Sequence, residues 1–420
     1  MAISTLPLCY CTNVHPGRSV AEVRDGLERY TVRVRDAADR PLAAGLWLAR
    51  PVVDELLAVP DGVARFADWM EARGLTCHTL NAFPYGDFHG ERVKENVYLP
   101  DWSTPERVRY TLDCAAVLAR LLETPSVDHQ PSSIDPQPTG SISTLPLGFK
   151  TLAPRWSTAF RLPDEPTGPP RGRDFLERCL DRLIETAAGL DRLREATGRT
   201  IRLAIEPEPL CLLETTDEAI TFFASLWSRA EDAPDPRALE NVRRHIGLCY
   251  DVCHQAVEFE DTAGSIRRLD AAGVHIAKVH ITCALRLERP GDDEPARATL
   301  AGFAEPRYLH QLTALAESGE ILRHVDLTAA FALDPPDEFR AAREWRVHFH
   351  VPVDAERIGP LGTTRDDLRG ALAAVAELGY APHLEVETYT WGVLPGERQP
   401  DLVEGLGREL RATRELLDAL

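Results

Sequence analysis

The sequence predicts a parallel (β/α)8 barrel, on three observations. Eight short apolar runs recur along the chain, helix-patterned stretches lie between them, and acidic or imidazole side chains stand at or near the ends of the last four runs. The expected strands fall near 8–13 (LCYCTN), 44–49 (AGLWLA), 75–83 (LTCHTLNAF), 141–146 (SISTLP), 201–206 (IRLAIE), 246–251 (IGLCYD), 274–282 (VHIAKVHIT) and 383–389 (HLEVETY). Helical spacing of apolar residues predicts outer helices over 63–73, 175–197 and 371–378. A last helix over 401–420, with Leu402, Leu406, Leu410, Leu416 and Leu417 among charges, is expected to close the barrel.

At 420 residues the chain fits one barrel domain with long loops between its units. An insertion is expected over 286–358, between the seventh and eighth strands, and it carries a strand-like run, WRVHFHVPV. Two other segments exceed ordinary connections, 124–140 and 150–173. The second contains Arg155, Trp156 and Arg161, and is expected to act as a lid with Trp156 on the substrate.

Composition narrows the partners. A formal charge of −19 is wrong for a surface that must neutralise phosphates, so nucleic acid is excluded as the expected partner. No apolar stretch approaches the ~20 residues of a membrane span. The opening MAISTLPLCYCTN reads as a core strand, not as a signal peptide, and points to the cytoplasm. Nine cysteines, without a CxxC pair and mostly within apolar runs, are expected as buried, reduced thiols. The sequence leaves the oligomeric state open, a homo-oligomer included.

Functional residues of a parallel barrel collect at the C-terminal strand ends, and side chains alternate between interior and helix layer. Glu206 shares inward parity with Ala204, Asp251 with Cys249, His280 with Lys278, and Glu387 with Glu385 and His383. These four polar residues on strands five to eight surround one point. Three carboxylates and one imidazole make an oxygen-rich set suited to a divalent ion, Mn²⁺, Zn²⁺, Co²⁺ or Mg²⁺. His254, three residues after Asp251, and the pair His348 and His350 on one face of an extended run extend the set, either to a second metal or to substrate. After the third strand, Gly86 and Gly90 permit a loop over the mouth that offers Tyr85, Asp87 and His89 as substrate contacts.

AIEPEP around Glu206, YDVCH with Asp251 and His254, KVHIT with His280 and GYAPHLEVET with Glu387 resemble the ligand strands of the xylose isomerase-like barrels. That superfamily holds sugar isomerases, epimerases and zinc endonucleases. More narrowly, NAFPYGDFHG, VYLPDW, GSISTLPL, RYLHQ, EWRVHFHVP and LEVETYTWGVLP resemble the EboE-like metabolite traffic proteins along nearly the whole chain. The resemblance implies that Glu387, and not Glu385, is the ligand on the last strand. It also implies Arg286, six residues after the metal histidine, and Glu214 as substrate contacts, while the His348-x-His350 pair resembles the Asp-x-His of the zinc endonucleases with its first ligand changed.

The implied activity is metal-dependent isomerisation or epimerisation of a polyhydroxylated small molecule, a sugar or cyclitol, with Glu206 and Glu387 exchanging the proton. Two alternatives accompany it: a polynuclear zinc hydrolase of the phosphoesterase kind, and a non-catalytic carrier that grips a metabolite through the same metal.

Overall fold

The computed structural model describes residues 6–38, 40–86, 88–122, 139–152, 171–395 and 401–420, without the side chains of 171–174. The calls on Asp87, Arg155, Trp156, Arg161 and most of the 124–140 and 150–173 loops therefore lie outside the described residues.

In chain order the strands are β1 (Leu8–Cys11), β2 (Leu42–Trp47), β3 (Thr76–Asn81), β4 (Thr139–Thr144), β5 (Thr200–Ile205), β6 (Ile246–Asp251), β7 (Ile276–Ile281), β8 (Cys283–Glu288), β9 (Leu312–Leu315), β10 (Ile321–His324), β11 (Glu344–Val351), β12 (Arg357–Ile358), β13 (Leu361–Thr363) and β14 (His383–Val386). Every residue of β1, β2, β6, β7 and β14 is buried, which is the pattern of strands covered on one face by helices and on the other by the barrel interior. The closed barrel runs β1-β14-β7-β6-β5-β4-β3-β2 with all pairings parallel, and each of the eight expected strands takes part.

The expected helices are present at Gly62–Glu71, Arg171–Thr197, Arg365–Glu377 and Leu402–Asp418. Local chemistry explains where others begin. Pro105 opens the helix Pro105–Leu121, where a missing N–H is harmless, and a reciprocal Thr215–Glu218 capping box starts Thr216–Glu231. The last helix is anchored by buried Glu409, which accepts hydrogen bonds from Thr388 Oγ1 (2.6 Å), Trp391 Nε1 (2.8 Å) and the Val353 N–H (3.1 Å). Glu409 thereby fixes the segment that follows Glu387.

A second, antiparallel sheet, β10-β9-β11-β8-β13-β12, stands between β7 and β14 in the chain. Its outer limits, Cys283 and Thr363, lie outside the 286–358 expected from sequence, because β7 passes through Thr282 directly into β8. The β11–β8 register slips between Val347 and Val351. An irregularity of this kind re-aims side chains, and here it spans His348 and His350. All nine cysteines are buried and unpaired, as expected of reduced thiols. No helix among the described residues is long and apolar enough to cross a membrane.

Gly45 on β2 is required by the barrel interior. A Cβ there would run into the Glu385 carboxylate and the Tyr10 carbonyl oxygen. Gly45→Ala is expected to destabilise the protein by roughly 1–3 kcal/mol, the usual cost of overpacking, read as a lower urea midpoint with an unchanged slope.

Candidate metal centre

Strand register levels the four donors. Asp251 stands opposite His280 across β6 and β7, and Glu385 stands opposite His280 across β7 and β14, which places Glu387 one layer nearer the mouth. Glu206 follows the last residue of β5, its N–H on the Thr144 carbonyl (3.0 Å). All four side chains are buried. His280 Nδ1 lies 2.9 Å from Glu206 Oε1, 3.1 Å from Glu387 Oε2 and 3.5 Å from Asp251 Oδ2, and the four donor atoms all fall within 4.8 Å of one another.

Each donor is held by further groups. Asp251 Oδ1 caps the helix Val252–Val257 at the His254 N–H (3.0 Å) and accepts from Thr282 Oγ1 (2.7 Å). Glu387 Oε1 accepts from the amides of Asn13 (2.9 Å) and Asn81 (2.7 Å). On the far side of the imidazole ring, His280 Nε2 faces Glu385 Oε1 at 3.3 Å, and Glu385 pairs with fully buried Lys278 at 2.8 Å. A carboxylate behind a ligating histidine sets the tautomer and leaves the other nitrogen's lone pair for a metal.

The chemistry of the donors suits a divalent ion. Glu206 Oε2 and Asp251 Oδ2 are buried with no hydrogen-bond partner, and buried carboxylate oxygens demand either a donor or a cation. The electrostatics agree. Burial pushes Glu206 up to about 7, against the pull of His280 and helped by Glu387 and Asp251. Burial also acts upward on Asp251 and Glu387, yet His254 and His350 hold Asp251 well below the usual carboxylate range, and His280 holds Glu387 at about 2.

A second donor group adjoins the first. His254 Nε2 and His350 Nε2 lie 3.1 and 3.2 Å from His348 Nε2. Each ring's other nitrogen meets an acceptor: His254 Nδ1 the Pro207 carbonyl (3.0 Å), His348 Nδ1 Gln311 Oε1 (2.7 Å), and His350 Nδ1 the Glu387 carbonyl (2.6 Å). The orientation of Gln311 is fixed because its Nε2 serves Tyr98 OH, Glu208 Oε1 and the Pro209 carbonyl. Each Nδ1 can thus donate to its acceptor, and His254 and His350 each turn Nε2 toward His348 Nε2; the donor groups close enough to hold an ion include Asp251, His254 and His350, and Glu208, His254 and His348. Burial keeps His254 down at about 4 and His348 well below its ordinary value, which favours the uncharged form of those two rings. Asp251 Oδ2 sits 3.9 Å from both His254 Nε2 and His350 Nε2, between the two groups.

Other expected site residues lie elsewhere. Arg286 is carried off by β8, where it pairs with Glu288 (2.6 Å) and Glu344 (3.0 Å) and lines a separate cavity. Glu214 is buried in an ion-pair network with Lys150 and Arg323, and Arg323 also binds Glu258 (2.5 Å). Tyr85 packs edge-on against Tyr110, with ring centres 5.0 Å apart. His89 is near the mouth but acts through neighbours, the Asn13 carbonyl and Tyr308 OH (2.9 Å).

The cavity above the donors, about 60 Å³, is lined by Glu206, Glu387, His254, His348 and His350, and also by Asn13, Asn81, Tyr98, Glu208, Tyr308 and Tyr389, which were not among the expected site residues. Asn81 had a signal, since it ends β3 with inward parity, and Asn13 ends the run 8–13 expected from sequence, although β1 itself stops at Cys11 and Asn13 sits in a 3-10 turn. Glu208, buried and pushed up to about 8 by desolvation, lies beyond the strand where parity says nothing.

The sequence matches no protein-family model and no curated protein. Among solved structures the chain is similar to a D-tagatose 3-epimerase-like protein (12% identity, 99% of each chain, TM-score 0.45) and to the IOLI protein with a binding zinc atom (12%, 99% of each chain, 0.45). It is also similar to a xylose isomerase-like TIM barrel protein from Mycobacterium smegmatis in complex with magnesium (13% identity, 98% of each chain, TM-score 0.44).

Proposed function

We propose that this protein is a metal-dependent enzyme of the isomerase or epimerase kind, acting on a small molecule that presents adjacent hydroxyl and carbonyl oxygens. The observation that carries the reading is the buried set Glu206, Asp251, His280 and Glu387, with two carboxylate oxygens lacking any partner. A divalent ion in that set would polarise a carbonyl and ease removal of the proton beside it. Glu206, which lines the cavity, is the proton acceptor through whichever carboxylate oxygen the ion would leave free. Glu387, its Oε1 pinned by Asn13 and Asn81, presents Oε2 for proton return.

The convergence of His254, His348 and His350 favours a second ion beside the first, with Asp251 between them, and so supports a second reading, metal-assisted ester hydrolysis. The narrower resemblance to the EboE-like metabolite traffic proteins supports a place in secondary metabolism. Nine buried, unpaired thiols suit a reducing compartment such as the cytoplasm.

Two assays on protein purified without chelator separate the readings. Isomerase chemistry is expected to replace the hydroxymethylene protons of hydroxyacetone with solvent deuterium, followed by proton NMR. Release of p-nitrophenolate from bis(p-nitrophenyl) phosphate without such exchange would establish the hydrolase, and neither reaction in metal-loaded protein would leave a carrier.

A further inference from the structure

Above the donors, the cavity is walled by aromatic rings. Phe88, Tyr308 and Tyr389 form a mutually packed cluster, with ring centres 5.0 Å (Phe88–Tyr308), 5.2 Å (Phe88–Tyr389) and 5.0 Å (Tyr308–Tyr389) apart. Tyr389 then packs on His350 at 4.8 Å, so the wall reaches the histidine group itself. Phe83 and Tyr98, 5.7 Å apart, line the same cavity.

Most polar side chains among these walls are already engaged, while Asn13 Oδ1 is buried with no hydrogen-bond partner. Asn13 and Asn81 serve Glu387, and Tyr98 OH donates to Glu208 (2.6 Å). Tyr308 OH pairs with His89 Nδ1 (2.9 Å). Lys94 Nζ is held by the carbonyls of Glu305 (2.9 Å) and Tyr308 (2.6 Å) and by Asp326 (2.7 Å). A polyol chain entering this space would bury hydroxyls against rings, with few donors or acceptors left to meet them, whereas a planar apolar body gains burial and edge-to-face contact.

We infer that the substrate carries a planar, apolar ring system beside its oxygenated head: the head sits at the Glu206–His280 end, and the ring lies against Phe88, Tyr308 and Tyr389. This rests on the proposed metal-dependent reading for the head, while the ring contact stands on the aromatic walls alone. It replaces the polyhydroxylated body expected from sequence and makes Phe88 and Tyr308 specificity residues.

The test is calorimetric titration of the metal-loaded full chain with three probes: 2-hydroxyacetophenone, which has ring and head; acetophenone, which has the ring without the hydroxyl; and D-fructose, which has the head on a polyol. The expected result is 2-hydroxyacetophenone binding roughly tenfold or more tighter than D-fructose, with acetophenone binding unchanged after chelator treatment. Phe88→Leu and Tyr308→Leu should each weaken both aromatic probes by about fivefold and leave the metal content unaltered. D-fructose binding as tightly as 2-hydroxyacetophenone overturns the inference even if both variants fail to fold, because the comparison is made on the unaltered protein. Metal-loaded protein without aromatic preference sinks the ring inference and spares the metal reading. Protein that retains no metal but binds acetophenone sinks the metal reading and spares the ring.

Discussion

Glu206→Gln is expected to lose turnover by roughly 10²–10⁴-fold and to bind the first metal far more weakly. The substitution keeps size and most hydrogen-bonding capacity, so the loss isolates charge and basicity. Glu206 Oε1 lies 2.9 Å from His280 Nδ1, a contact that the amide preserves in size, but Oε2 has no donor and the carboxylate's negative charge is what a cation would need. Glu387→Gln should behave alike for a different reason. Its Oε1 already faces two amide donors, so the new NH₂ must turn toward His280 and occupy the ligand direction with a donor.

Glu385→Gln provides the contrast. Read from sequence, it lies one layer deeper and should be mild. In the folded chain it neutralises fully buried Lys278, and removing one partner of a buried pair typically costs about 3–5 kcal/mol. The glutamine is therefore expected to spare much of the metal content and to lower stability, measured by metal analysis and urea unfolding on the same preparations. Normal turnover in Glu206→Gln or Glu387→Gln would remove the proposed centre altogether.

Period-two alternation and strand-end position made the barrel and the first donor group legible, because a parallel strand buried on both faces leaves its polar residues little choice but the mouth. Asp251 and His280 meet because β6 and β7 are in register, and their parity predicts it. The same rule applied to Asn13 and Asn81 would have found the clamp on Glu387. Arg286 shows where sequence spacing misleads. Six residues after His280 implies a loop at the mouth only if the chain turns there, but Thr282 leads straight into β8 and carries the guanidinium to another cavity. Glu214 was misplaced by a similar route, since nothing in its neighbourhood in sequence announces Arg323, which neutralises it from the second sheet. Nor does the sequence announce the slip in β11 pairing that aims His348 and His350 at His254.

That slip underlies the second large prediction. Sequence alone leans toward His348 and His350 as substrate contacts, with one metal in the centre; the geometry points the other way. A histidine that binds substrate ordinarily offers it an N–H or a lone pair in isolation. Here each Nδ1 faces an acceptor, and in the neutral rings that turns the Nε2 lone pairs of His254 and His350 onto that of His348, at 3.1 and 3.2 Å. Lone pairs that close repel, and a tetrahedral ion such as Zn²⁺, with three imidazoles and one further position, resolves the repulsion. Asp251 Oδ2, with no hydrogen-bond partner and 3.9 Å from two of the three nitrogens, is placed to couple this ion to the first. Protein purified without chelator should therefore carry two metal equivalents per chain. The His348→Ala, His350→Ala double variant should carry one, with unchanged far-ultraviolet circular dichroism and a large loss of turnover. If the unaltered protein holds one equivalent and the variant keeps it, losing only substrate affinity, the three histidines are a substrate clamp and the hydrolytic reading loses its basis.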